Sequence, residues 1–136
     1  MIMTLIDVLN TNDRFANNAG AKLTFIGDGR ATAVMTVTKE HLNAGGVCQG
    51  GALFTLADIA LAAVMNSHGN LTFSIESTIS FLHSAVEGDV LTAEATETFN
   101  HGKIPYCEVK VRNGRNELVC VLTGIGYRKS IKFSGE

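Results

Sequence analysis

The sequence predicts an α+β domain in which a curved antiparallel sheet wraps around one long central helix. Three observations predict it. The stretch from about Gly50 to Ser67 is apolar almost all round, segments of period two follow it, and 136 residues make one ordinary domain, residues 1–136. A helix without a polar face is covered on every side. A single sheet curling around it supplies that cover. The small residues Ala52, Ala57, Ala60, Ala62 and Ala63 let strands, and a partner helix, approach closely.

The elements follow in order. Residues 3–10 mix apolar and polar positions with helical spacing and predict a short first helix. Lys22 to Ile26 and Ala31 to Thr38 read as strands joined by a Gly27-Asp28-Gly29 turn. Residues 39–49 form a loop that contains Gly and Asn. The long helix then runs to Ser67, and His68-Gly69 ends it, Gly69 supplying a left-handed residue. In Thr72 to Phe81 the residues Phe73, Ile75, Ile79 and Phe81 are expected on one face. Thr72, Ser74, Glu76, Thr78 and Ser80 are expected on the other. Val90 to Phe99, Ile104 to Arg112 and Leu118 to Tyr127 continue as strands, the last two joined by Asn113-Gly114-Arg115-Asn116. Pro105 falls at a strand start, where its missing N–H is tolerated. The sequence alone does not set the order of the strands.

Composition removes several classes. A net charge of −2 with no basic run argues against a nucleic-acid binder. Arg112, Arg115, Arg128, Lys129 and Lys132 gather loosely near the C-terminus, as a solvated rim or a weak phosphate patch. Ala52 to Met65 is too short for a membrane span. Cys48, Cys107 and Cys120 show no metal-ligand spacing, and Met1 to Leu9 is too short and interrupted for a secretory segment. A reducing cytoplasm is the expected compartment.

Asp58 is the chemical anomaly, a carboxylate inside an apolar helix. Burying an unpaired carboxylate costs several kcal/mol, so the group must be paired, neutralised or open to a ligand cavity. The pattern alone leaves a packing role and a functional role about even. Gln49-Gly50-Gly51 precedes the helix. The first N–H groups of a helix have no internal partners and favour negative charge, as an oxyanion hole requires, and glycines leave room to approach them. A tight turn is the plainer reading of Gly-Gly. Asp58 lies two turns beyond Gly51, roughly 10 Å along the axis, too far for one carbonyl to touch both. A two-fold pair of antiparallel helices would bring Asp58 of one subunit opposite Gly50 of the other.

The stretch His41-Leu42-Asn43-Ala44-Gly45-Gly46-Val47-Cys48-Gln49-Gly50-Gly51-Ala52-Leu53-Phe54-Thr55-Leu56-Ala57-Asp58 resembles the PaaI-like branch of the hot-dog thioesterases. Ala63 to Gly69 continues the likeness, which covers the chain in order and length. The resemblance implies hydrolysis of acyl-CoA thioesters without metal or bound cofactor. It implies subunits paired edge to edge, with dimers commonly forming tetramers. It assigns Asp58 as nucleophile or general base and the Gly50 or Gly51 N–H, with Gly50 preferred, as the carbonyl polariser. Asn43 would hold the acid or the water, and Ser74 would position water. Gly51, Phe54 and Thr55 would touch substrate. CoA would lie near the subunit junction. Where the family has His before Gly-Gly, this chain has Gln49, which hydrogen-bonds but does not exchange a proton near neutral pH.

Two other readings compete. A hydratase or dehydratase needs a His paired with an acid, and Gln49 counts against it. A binder of acyl thioesters without turnover is favoured by Gln49. Of the remaining residues, Cys48 reads as an inert or merely oxidisable thiol and His41 as a fixer of its loop. His68, His83 and His101 are scattered, Glu76 is expected to be an exposed strand residue, and Gly102-Lys103 reads as a turn.

Overall fold

The computed structural model describes residues 4–133. The helices are α1 (Leu5–Asn12), α2 (Arg14–Ala19) and α3 (Gly50–Met65), and a single 3-10 turn spans Lys39–His41. The strands are β1 (Lys22–Gly27), β2 (Arg30–Thr36), β3 (Asn70–Phe81), β4 (Val90–Phe99), β5 (Tyr106–Arg112) and β6 (Leu118–Lys132). They form one antiparallel sheet in the order β1-β2-β4-β5-β6-β3. The sheet wraps α3, as expected from the helix pattern. Leu53, Leu56, Ala60 and Ala63 are buried against it together with Ala33, Leu91, Val109 and Leu122. Position 3 of the expected first helix lies outside the described residues.

Local chemistry sets the ends of these elements. Thr4 caps α1 by accepting from the Asp7 N–H. Asp13 caps α2 through the Ala16 N–H at 3.1 Å, and Gly20, with φ of 83°, closes it. Asn66 ends α3. Its Nδ2 donates to the Ala62 and Thr72 carbonyls, and its Oδ1 accepts from the Thr72 N–H at 2.8 Å, which ties the helix end to β3.

Four sequence expectations need correction. The helix α2 was not anticipated as an element separate from α1. The long helix is not covered all round: Gly51 is exposed, and Ala52, Phe54, Thr55, Asp58 and Ala62 are half-buried, forming an open stripe away from the sheet. The faces of β3 do not alternate throughout, because a bulge between Ser74 and Glu76 inserts a residue. Thr72 and Ser74 therefore share the helix side with Ser77, Ile79 and Phe81, while Phe73 and Glu76 lie opposite Tyr127 and Ile125 on the outer face. Lastly, the basic residues near the C-terminus do not gather. Arg112 and Arg115 sit at the β5–β6 turn and Arg128 to Lys132 at the far end of β6, about 30 Å away at strand rise.

Candidate active site

Asp58 projects from the open stripe of α3. Among the described residues no hydrogen bond or ion pair reaches its carboxylate. Burial raises its pKa above the ordinary aspartate value, and the charge of Asp13 raises it further. The two acids are brought into range because α1 and α2 pack across α3. A carboxylate without a partner, held in its basic form against a desolvation penalty, is a stronger base than a free aspartate.

The helix start is open as well. Gln49 is the N-cap residue of α3 but makes no side-chain cap bond. Its carbonyl accepts the Ala52 and Leu53 N–H groups at 3.0 and 3.3 Å, while the Gly50 and Gly51 N–H groups have no partner among the described residues. The two glycines face different surroundings. A Cβ on Gly51 would lie 2.7 Å from Gln49 Oε1, so the Gln49 carboxamide folds over it. A Cβ on Gly50 would lie 2.9 Å from Phe81 Cζ.

A cavity of about 760 Å³ opens beside Gln49, Gly51, Ala52 and Thr55. Gly50 is not one of its walls. Across it stand Phe15 of α2, 76% exposed, and Thr38. Sequence reasoning missed Phe15 because it missed α2. Asp13 as cap and Gly20 as stop were the signals that mark this helix. His41 ties the walls together. Its Nδ1 accepts from the Thr38 N–H at 2.9 Å, its Nε2 meets the Ala19 carbonyl at 2.6 Å, and its own carbonyl accepts the Gln49 N–H at 2.8 Å. With Nδ1 accepting, Nε2 is the ring's donor to the Ala19 carbonyl.

Of the other expected site residues, Phe54 and Thr55 share the open stripe of α3 with Asp58, while Asn43 and Ser74 lie on other elements. Asn43 uses its Oδ1 to accept the Gly45 and Val47 N–H groups, which shapes the loop into the helix. Thr55 donates to the Gly51 carbonyl at 2.8 Å. Phe54 packs on the edge of the core. Ser74 is opposite Gly126, whose Cα faces Met65, so Ser74 sits near the C-terminal end of α3. Cys48 is buried and its thiol pKa is raised by desolvation, the opposite of an activated thiolate. The basic residues are largely engaged: Arg115 pairs with Asp89 and Glu117, and Arg128 is half-buried beside Glu97. Among the described residues no group of three His, Cys, Asp or Glu side chains could hold a metal ion, and no helix is long and apolar enough to cross a membrane.

A sheet wrapped on one helix, with an acid on the open stripe and free N–H groups at the helix start, defines a hot-dog-fold domain of the thioesterase type. The chain belongs to the thioesterase superfamily, whose sequence pattern matches residues 45–120. Within it the chain is PaaI-like. It is similar to the acyl-coenzyme A thioesterase PaaI of Escherichia coli, at 33% identity over 125 residues, 92% of this chain and 89% of that protein. The solved structure of E. coli PaaI matches with a TM-score of 0.88 at 29% identity, covering 96% of this chain and all of that one. A protein of Archaeoglobus fulgidus is 38% identical over 133 residues, 98% of this chain and 86% of its own length. A Streptococcus pneumoniae thioesterase protein solved with coenzyme A matches with a TM-score of 0.78 at 25% identity, covering 84% of this chain and 91% of that one.

Proposed function

We propose that this chain hydrolyses acyl-CoA thioesters carrying small or medium acyl or aryl-acyl groups, with Asp58 as the acting acid. The observation that carries the reading is the unpartnered, half-buried Asp58 carboxylate on a helix whose first N–H groups are also free. The similarity to a PaaI thioesterase and to a protein solved with coenzyme A supports the substrate class.

The chemistry follows from the groups present. The helix-start N–H polarises the thioester carbonyl and takes the charge that develops on its oxygen. Asp58 either draws a proton from water, which attacks the carbonyl carbon, or attacks that carbon itself. The carbon–sulfur bond then breaks and the CoA thiolate takes up a proton. In the second case water cleaves the resulting anhydride. Asn43 and Ser74 are assigned to hold the acid or the water, and Gln49 to orient the thioester. Gly51, Phe54 and Thr55 are assigned to contact substrate.

Gly50 and Asp58 are about 12 Å apart along one helix, so a single chain does not complete the site. Two features support a homodimer or homotetramer with sites between subunits. The open stripe of α3 leaves apolar surface uncovered. The edge strand β3 offers an unpaired backbone row that a second copy would extend. A reducing, cytoplasmic setting fits the three unpaired, buried cysteines. The reading requires no cofactor, nucleic acid or membrane.

The test is a thiol-release screen over acetyl- to palmitoyl-CoA and phenylacetyl-type esters, with Asp58→Ala as control. Release by the native chain and none by the variant is expected. Equal release from both sinks the assignment to Asp58. Gln49, which does not exchange a proton, favours a second reading, an acyl-thioester binder. Tight CoA-ester binding with no release by the native chain would establish it.

A further inference from the structure

Phe81 contributes to the helix start in a way that Gly50 and Asp58 alone do not explain. A Cβ on Gly50 would come 2.9 and 3.2 Å from ring carbons of Phe81. Ordinary carbon contacts are about 3.5–4.0 Å. The ring therefore rests directly on the Gly50 Cα. Its placement is fixed from both sides. Phe81 pairs with Cys120 in the sheet register, and the Leu82 and His83 N–H groups both donate to the Val119 carbonyl, at 2.8 and 3.2 Å. The Cys48 N–H, two residues before Gly50, donates to the Ala85 carbonyl at 2.8 Å. The end of β3 and the start of α3 are thus fastened together. The Phe81 ring is nevertheless 53% exposed. The ring, on a backbone held this way and half open, thus lies directly beside an unpartnered N–H.

We infer that Phe81 is a specificity-determining residue, the apolar wall against which the acyl group lies when its thioester carbonyl meets the Gly50 N–H. This rests on the thioesterase reading above. The ring fills the Cβ direction of Gly50, so a carbonyl approaches only along the N–H. An acyl group laid against the ring would exclude water from that N–H, and a hydrogen bond to a developing oxyanion is stronger where water is excluded. The ring is purely apolar and favours an unsubstituted hydrocarbon over one hydroxylated at the second carbon from the carbonyl. Gly50 is glycine on this account because Phe81 occupies the space, and the two positions are energetically coupled.

The test measures kcat and KM separately for Phe81→Ala, Phe81→Leu, Gly50→Ala and the double variant Gly50→Ala/Phe81→Ala. Acetyl-, butyryl-, octanoyl- and 3-hydroxybutyryl-CoA serve as substrates, and melting curves are recorded for every variant. Phe81→Ala is expected to lower kcat about 10- to 100-fold and to flatten the preference for butyryl- over 3-hydroxybutyryl-CoA. Phe81→Leu restores most of both. The double variant should keep about tenfold or more of the activity that the product of the two single losses predicts, because removing the ring relieves the clash that Gly50→Ala creates. A merely structural Phe81 would lower the melting temperature and leave the acyl preference unchanged. That result, or strict additivity in the double variant, overturns the inference. If the native chain releases no thiol from any ester, the thioesterase reading fails and the Phe81 role fails with it. If the native chain is active and needs Asp58 while Phe81→Ala keeps the native preference, only the Phe81 role fails.

Discussion

Replacing Asp58 by Asn separates catalysis from packing, because the two roles predict opposite signs for stability. The carboxylate makes no hydrogen bond or ion pair among the described residues, so the isosteric amide removes charge without breaking a contact. Burial, and secondarily Asp13, raise its pKa above 3.8. The folded chain thus binds this proton more tightly than the unfolded chain. Below the unfolded value the group imposes no penalty on folding. As pH rises through the raised value the penalty grows, and above it the penalty is complete. Asp58→Asn should therefore melt at or above the wild-type temperature at pH 7, and the difference should vanish near about pH 3.5, below the unfolded value. Loss of a general base or nucleophile lowers kcat by about 10²- to 10⁴-fold, equal to about 2.7–5.4 kcal/mol of transition-state stabilisation. The assays are thiol release at saturating acyl-CoA and thermal denaturation across pH. The wild-type rate should rise with pH, with a midpoint above the ordinary aspartate range, as the basic form accumulates. A variant that melts several degrees lower, or keeps hydrolysis within tenfold of wild type, would show that Asp58 is a packing group and refute the reasoning.

Three further outcomes are expected. Gly124→Ala would place a methyl carbon 2.7 Å from Leu61 Cδ2 in the core, costing about 1–3 kcal/mol and about 4 °C of melting temperature per kcal/mol, whereas Gly102→Ala, with open space around it, should stay within about 0.5 kcal/mol in denaturant titration. Burial pushes the Cys107 and Cys120 thiols up to about 12, so a thiol reagent at pH 8 should leave both unlabelled in the native protein and modify all three cysteines after unfolding, read by mass spectrometry. Gln49→His should add an ionisation near about pH 6.5 to the pH–rate profile of hydrolysis, and an unchanged profile would show that this position only orients the thioester.

Much of the fold and part of the site were legible in the residues themselves. An all-round apolar helix demanded a wrapping sheet, and the period-two segments supplied it, because both signals are carried by neighbours a few positions apart. Asp58 stood out for the same local reason, as a charge where no charge is cheap. The parity of β3 was not legible, since the bulge at Ser74 is visible only in the pairing with β6. Sequence position preferred Gly50 to Gly51 but did not show how their surroundings differ. Their difference comes from long-range contacts, Phe81 from β3 on one and the folded Gln49 carboxamide beside the α2 cavity on the other. The open stripe on α3 has the same origin. Helical period says which side chains share a face, but only the packed sheet decides which face is left uncovered. On this chain it leaves the one that carries Asp58.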